Sequence, residues 1–312
     1  MVEKSYSEMR REFYKKYQEI IVPAVKKFEK ERKIRLIIAI ICSSIFSMLG
    51  VISLVLPFWC TNPDSDIWEV AIKGFIFLIV IAWGVLYSIK KSFESKIKEK
   101  IMPIVCSCFG NLKWSDVFYE YSEVFKESGV VPFFTSEYYD DIFYGKHNDV
   151  KIEIVESEFE VGSGKNRRTV FKGVVIKLDM NKSFNSHTVI TPNKLFHNSP
   201  LPDLKHTTLE DVEFEKKFDV FTNDEVDARY LITPSFMQRL KSMKTAFKAD
   251  KVQCAFYGNL LLVALSTKKD LFSVCSLVKP IDDSKQYFQM YEEIVSIIKL
   301  IDHFKLNQKI GL

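Results

Sequence analysis

The sequence predicts an α+β protein: an N-terminal transmembrane helical hairpin with a cytoplasmic helical stalk, then a mainly antiparallel sheet domain with packed helices. Three observations carry this expectation. Two apolar runs, Leu36–Phe58 and Val70–Ile89, stand close together near the N-terminus. Basic residues crowd the outer flanks of both runs and avoid the link between them. From Tyr138 onward the apolar spacing changes to a two-residue alternation interrupted by glycine turns.

Leu36–Phe58 is 23 residues without a charge. A helix needs about 20 apolar residues to cross the hydrocarbon layer, so this run is long enough to span. Val70–Ile89 is 20 residues with one charge, Lys73, near its start, where a flexible stem carries an ammonium to the headgroups. Trp59 and Trp68 flank the link as interfacial aromatics do. The alternative is a helical hairpin buried in a soluble core, which two such runs make hard to accommodate in a chain of this size.

Orientation follows from the lysines and arginines. Eleven precede Leu36, among them Arg32, Lys33 and Arg35 at the expected interface, and Lys90, Lys91, Lys96, Lys98 and Lys100 follow Ile89. The link holds Asp64, Asp66 and Glu69 and no basic residue. Both termini are therefore expected in the cytoplasm of a multi-pass membrane protein. The first run also lies too far from the N-terminus, and is too long, for a cleaved signal.

The expected divisions are a basic amphipathic helix over 1–35, the hairpin over 36–89 with its outer link at 59–69, a stalk helix over 90–112, and an α+β domain over 113–312. Residues 1–35 carry 11 basic and 6 acidic side chains, whereas 113–312 carry 27 and 29. The basicity thus belongs to the membrane flanks, which points to anionic lipid headgroups and not to nucleic acid. Cys42, Cys60, Cys106, Cys108, Cys254 and Cys275 form no disulfide framework in lipid or cytoplasm, and the C-x-C pair lacks the second pair that zinc needs.

Within residues 4–33 a helix is expected with Met9, Phe13, Tyr17, Ile20 and Ile21 along one stripe, kinked or divided at Pro23. EIIVPAV around Pro23 and EKIMPIV around Pro103 lie at matching distances from the two runs, so the membrane helices are expected to continue as an antiparallel stalk. Beyond it, a short helix is expected over Asp116–Lys126. Strands are expected at Asp141–Tyr144, Val150–Val161, Thr169–Leu178 and Thr188–Thr191, with a hairpin turn at 162–166. A loop over 192–208 precedes a helical stretch at Leu209–Lys217 and strands at Phe218–Phe221 and Ala228–Ile232. Thr233-Pro234 signals a helix start, Val252–Phe256 and Leu260–Leu265 a hairpin, and Ser284–Lys305 a long amphipathic helix.

Chemistry-bearing patterns are sparse. Gly162-Ser163-Gly164-Lys165 fails the phosphate-loop pattern, which would need glycine at Phe159 and Ser or Thr at Asn166. His187, His197 and His206 lack metal-ligand spacing, and no metal or other cofactor is expected. Asp140 and Asp141 could supply metal or general acid–base carboxylates, and with Arg229 they make up the candidate functional patch. As neighbours in a strand, however, they should point to opposite faces. Glu156, Glu158 and Glu160 are expected on one solvated face, and Asp224, Glu225, Asp227 and Arg229 in a capping and ion-pair arrangement.

The run FEKKFDVF-x5-DARYLITPSFMQRL across 214–240, together with YYDDIFYG at 138–145, VFKG at 170–173 and YGN at 257–259, resembles a bacterial family of membrane proteins described only as a domain of unknown function. The resemblance implies an inner-membrane protein and a LemA-type membrane protein as one possible partner. It brings no activity and no catalytic residue. The expected function is a non-catalytic anchor and interaction module, in a homo-oligomer or with a membrane-protein partner. The alternative is a membrane-tethered enzyme acting on a phosphorylated or lipid-derived substrate.

Overall fold

The computed structural model describes residues 5–59, 65–109, 111–116, 121–147, 150–180, 183–193, 198–269, 271–272, 276–278, 280–281 and 284–309. The chain forms two compact units: a helical one, Tyr14–Ile104 with Ser273–Ser284, and a sheet unit, Met1–Phe13, Val105–Phe272 and Lys285–Leu312.

In the helical unit, α1 (Tyr6–Lys16) passes through a π turn, Tyr17–Ile21, into α2 (Val22–Val55). Pro23 does not divide the helix. It has no N–H to donate, and the wider turn before it lets the Val22 amide reach back to the Tyr17 carbonyl, so the helix runs on. Of the expected stripe, Met9, Phe13, Tyr17 and Ile21 are buried and Ile20 is exposed. A 3₁₀ turn, Leu56–Trp59, ends this rod, and α3 (Ser65–Cys106) carries Pro103 in its last turn.

Helices α2 and α3 pack antiparallel in one register. Lys100 sits over the Phe28 ring at 5.6 Å, Lys96 bonds Glu31 at 2.8 Å, Arg35 lies over Phe93 at 5.5 Å, and Gly50 meets Phe75. A Cβ at Gly50 would come 2.9 Å from that ring, so the small residue sets the approach. Both helices are long and apolar enough to cross a membrane, and only 11% and 6% of their apolar stretches is buried.

Arg32 departs from its expected place among the interfacial cations. It is buried, gives two hydrogen bonds to Glu29 at 2.6 and 2.8 Å, and donates a third at 2.8 Å to the Leu277 carbonyl. Glu29 also accepts from the Ile281 amide at 3.3 Å, and the Arg32 hydrogen bonds hold its carboxyl below the ordinary value. This pair therefore pins the segment around 277–281 to α2. Lys33 and Lys91 are exposed, Arg35 pairs with Glu31, Lys73 with Glu69, and Lys90 lies 3.9 Å from Glu94. Trp59 is almost fully exposed and Trp68 partly buried.

The sheet unit runs β1 (Lys113–Ser115), α4 (Ser122–Glu127), β2 (Ser136–His147), β3 (Val150–Val161), β4 (Arg168–Asp179), β5 (Thr188–Pro192) and β6 (Lys205–Thr207). It continues with α5 (Val212–Glu215), β7 (Phe218–Thr222), α6 (Glu225–Leu231), α7 (Pro234–Ala246), β8 (Lys251–Tyr257), β9 (Leu260–Ser266) and α8 (Ser284–Lys309). The strand order is β1-β2-β3-β4-β9-β8-β5-β7-β6, antiparallel at every described pairing. The α+β class expected from the sequence holds, and the strands β1 and β6, each three residues long, are additions to it.

One expected strand is a helix. Ala228–Ile232 falls within and just after α6, because Asp224 caps the helix by accepting from the Val226 and Asp227 amides at 2.9 and 3.1 Å. The helices read at Asp116–Lys126 and Leu209–Lys217 shrink to α4 and α5, with residues 117–120 outside the described part.

Both sheet faces are covered. On one, Phe159 stacks on Phe134 at 4.2 Å and meets Phe171 and Phe125, with Ile142, Val155 and Leu262 around them. Fully burying each such ring stabilises by about 1.5–3 kcal/mol. On the other, Ile152 and Ile154 meet Ile294, Ile297 and Ile298 of α8 around a void of only about 10 Å³, and Phe236 of α7 packs on Phe256 at 5.3 Å. The start of α1 lies along α8: Phe13 touches Phe288 and Tyr291, and the Asp302 carboxylate meets both the Tyr6 hydroxyl and His147 Nε2.

Gly173 in β4 has φ +151°, and a Cβ there would be driven into the Leu265 carbonyl of β9. Gly173→Ala is expected to cost at least about 2 kcal/mol, against about 1 kcal/mol for Gly258→Ala, whose positive φ faces open space. Denaturant midpoints of the two full-length variants in detergent check this ranking.

Candidate functional site

The strongest side-chain constellation in the sheet unit grows from an irregularity in the β2–β3 ladder. Tyr139 faces Ser157 and Ile142 faces Val155, so two residues of β2, Asp140 and Asp141, oppose the single residue Glu156 of β3. This is a β-bulge, which inserts one residue and re-aims side chains. Strict alternation would send the two aspartates to opposite faces. The bulge cancels it, and oxygens of Asp140, Asp141 and Glu156 all lie within 4.8 Å of one another.

The three differ in environment. Asp140 is exposed, whereas Asp141 and Glu156 are 1% and 9% exposed. Asp141 accepts from the Trp114 indole N–H at 2.7 Å, and Glu156 accepts from the Leu271 amide at 3.0 Å. Short strand β1 exists in part to place that indole, since Trp114 pairs with Phe143 across the ladder. Three carboxylates so close repel, and the species suited to relieve this is a hard divalent cation with oxygen ligands. These residues could hold one through the oxygens not engaged by Trp114 and Leu271. Cys106 lies in the field of Asp141, but burial first, then Cys108 and Asp141, pushes its thiol up to about 12, which disfavours the thiolate a soft metal needs.

Arg229 does not share this site. It is exposed on α6, which follows β7, the eighth strand in the sheet order, while the aspartates are on the second. Neighbouring Asp227 accepts from the Ser186 amide and hydroxyl at 3.0 and 2.6 Å, tying α6 to the start of β5. Gly162-Ser163-Gly164-Lys165 is the β3–β4 turn, with Gly162 at φ +93°. His187 meets the Ser128 carbonyl at 3.0 Å and His206 lies 3.6 Å from Asp219, while His197 is outside the described residues.

Glu156 was expected on a solvated face with Glu158 and Glu160. Those two pair with Lys172 and Arg167, but Glu156 continues the row of Ile152 and Ile154 that helical residues cover. The signal available for the cluster was two adjacent acids inside a strand otherwise rich in aromatic residues, a pattern that a regular half-buried strand does not accommodate.

Another buried carboxyl, Glu293 of α8, is pushed from 4.5 up to about 7 by burial, opposed by a hydrogen bond from Gln289 and by Lys248 and Lys269. The fold prefers its protonated form, so that stabilisation is complete below the unfolded value and is lost as pH rises through about 7. Glu293→Gln should flatten this dependence and raise stability at pH 8 by up to about 3 kcal/mol, read from denaturation at pH 5 and pH 8. Trp114→Phe, which removes the donor to buried Asp141, is expected to cost about 1.5–3 kcal/mol in the same measurement at pH 7.

Comparison with known proteins adds the following. No curated protein matches the chain. Among solved structures, the chain is similar to the mycobacterial trehalose monomycolate transport factor A, TtfA, at 12% identity over 63% of this chain and 90% of that one, with a TM-score of 0.36. A likeness of that strength supports no inference about fold or function. Residues 169–306 match a family described as "Protein of unknown function (DUF3137)". The resemblance to a family known only as a domain of unknown function therefore holds over the stretch from β4 into α8, which includes the 214–240 run.

Proposed function

We propose that α2 and α3 cross a bacterial inner membrane as a hairpin with both termini in the cytoplasm, and that the protein is a non-catalytic anchor presenting its sheet unit as an interaction module. The observation that supports this reading is the bareness of the two apolar stretches, of which 11% and 6% is buried. Ile37, Ile41, Ile45, Met48 and Ile52 of α2 and Ile72, Ile76, Phe77 and Val80 of α3 are all exposed. An apolar surface this extensive is costly in water and matches a lipid environment. The basic residues outside the spans and the acidic link between them agree with the orientation.

The enzymatic alternative required Asp140, Asp141 and Arg229 together. Arg229 stands elsewhere, so no observation favours it over the anchor. A homo-oligomer or a second membrane protein is the partner in this reading.

In intact cells, a membrane-impermeant maleimide should label Cys60 in the outer link, and Cys60→Ser should abolish that labelling. A C-terminal tag should become accessible only after permeabilisation. Extraction of the chain by alkaline carbonate, or a tag reachable from outside, would sink the anchor and its orientation respectively. Gentle solubilisation should recover a homo-oligomer or a stoichiometric partner, and a solitary monomer would count against the interaction role.

A further inference from the structure

Near one end of the apolar stretches an opening lies between α2 and α3. The opening has a volume of about 590 Å³ and is lined by Leu36, Ala39 and Ser43 of α2 and by Trp83, Tyr87 and Lys90 of α3, with Leu277 and Val278 closing one side. That volume lies within the roughly 300–1,000 Å³ of small-molecule sites. From Leu36 to Ser44 the helix rises about 12 Å, most of the roughly 15 Å depth of one hydrocarbon leaflet.

Resting on the membrane reading above, we propose that this groove holds one anionic phospholipid, with an acyl chain between α2 and α3 and the phosphate at Lys90. The polarity of the walls selects that occupant. Apolar residues dominate along the groove, the Ser43 and Ser44 hydroxyls are uncharged, and Lys90 is the charged residue lining it. Lys90 stands at the end of the span where Lys33, Arg35 and Lys91 also gather, so the groove opens toward positive charge. Its partner Glu94 is 3.9 Å away and the lysine side chain is 55% exposed, leaving it available to a phosphate. A basic pocket between membrane helices at the headgroup level is suited to an anionic lipid head.

The side wall is built for the same solvent. The Arg32–Glu29 pair, through the Leu277 carbonyl and the Ile281 amide, holds this short segment against α2. Leu277 is buried and Val278 is 76% exposed. An apolar side chain held out beside the start of the spans is suited to contact with an acyl chain in the groove it lines.

The test uses the full chain reconstituted in vesicles of phosphatidylcholine containing phosphatidylglycerol, extracted in mild detergent, with bound lipid counted by native mass spectrometry. Wild type should retain about one phosphatidylglycerol per chain. Ser43→Trp, which fills the groove, should lose it, while Ile52→Trp on the exposed face should keep it. Lys90→Glu should lower the preference for phosphatidylglycerol over phosphatidylcholine by about fivefold or more, from about 1 kcal/mol per basic residue near an anionic surface. Equal retention by wild type and Ser43→Trp, or retention without preference for the anionic lipid, would overturn the proposal. Carbonate extraction of the same variants reads insertion separately, so a chain that inserts without holding the lipid refutes the lipid site and leaves the anchor standing.

Discussion

The helical unit depends on one packing constraint, the single register that sets α2 against α3 from Phe28 and Lys100 to Gly50 and Phe75. Antiparallel helices in one register return the chain to the end where it entered. The helices approach closely at Gly50 because that residue has no side chain, whereas Ala39, Ser43 and Ser44 line an opening with Trp83 and Tyr87. Close approach at one point and an opening at another thus come from the same pairing. Charged residues, Lys96 with Glu31 and Arg35 over the Phe93 ring, hold the register only outside the apolar stretches, where water lowers the cost of charge.

The sheet unit solves a different problem. Nine strands in one sheet expose two apolar faces, and each needs a lid. Aromatic residues around Phe159 fill one side with help from α4 and the segment after it, and α7 and α8 close the other. Burial on both faces leaves little room for charge within the sheet, so the buried carboxylates Asp141 and Glu156 each hold a donor from a neighbouring segment.

What could be read from the chain divides along physical lines. Long apolar runs, the turns at 162–166 and 257–259 and the Thr233-Pro234 cap are local signals, and the elements they mark are present. Ala228–Ile232 misled because Tyr230, Leu231 and Ile232 favour strands by composition, whereas a single carboxylate, Asp224, satisfies the amides that start a helix. The burial of Arg32 depends on a carbonyl 245 residues away, which no local pattern encodes. The carboxylate cluster was half legible: its two aspartates stood out, but their third member and the exclusion of Arg229 follow from strand pairing.

The bulge at Asp140–Asp141 leaves β2 with a reading frame. Beyond it, one parity of residue number faces the aromatic interior; before it, the other does. Loss of either aspartate would remove the bulge and leave a plain ladder in which Tyr139 and Ile142 keep their shared face and one carboxylate opposes Glu156. Natural versions of the strand one residue shorter at this point should therefore keep the fold and lose the acidic pair.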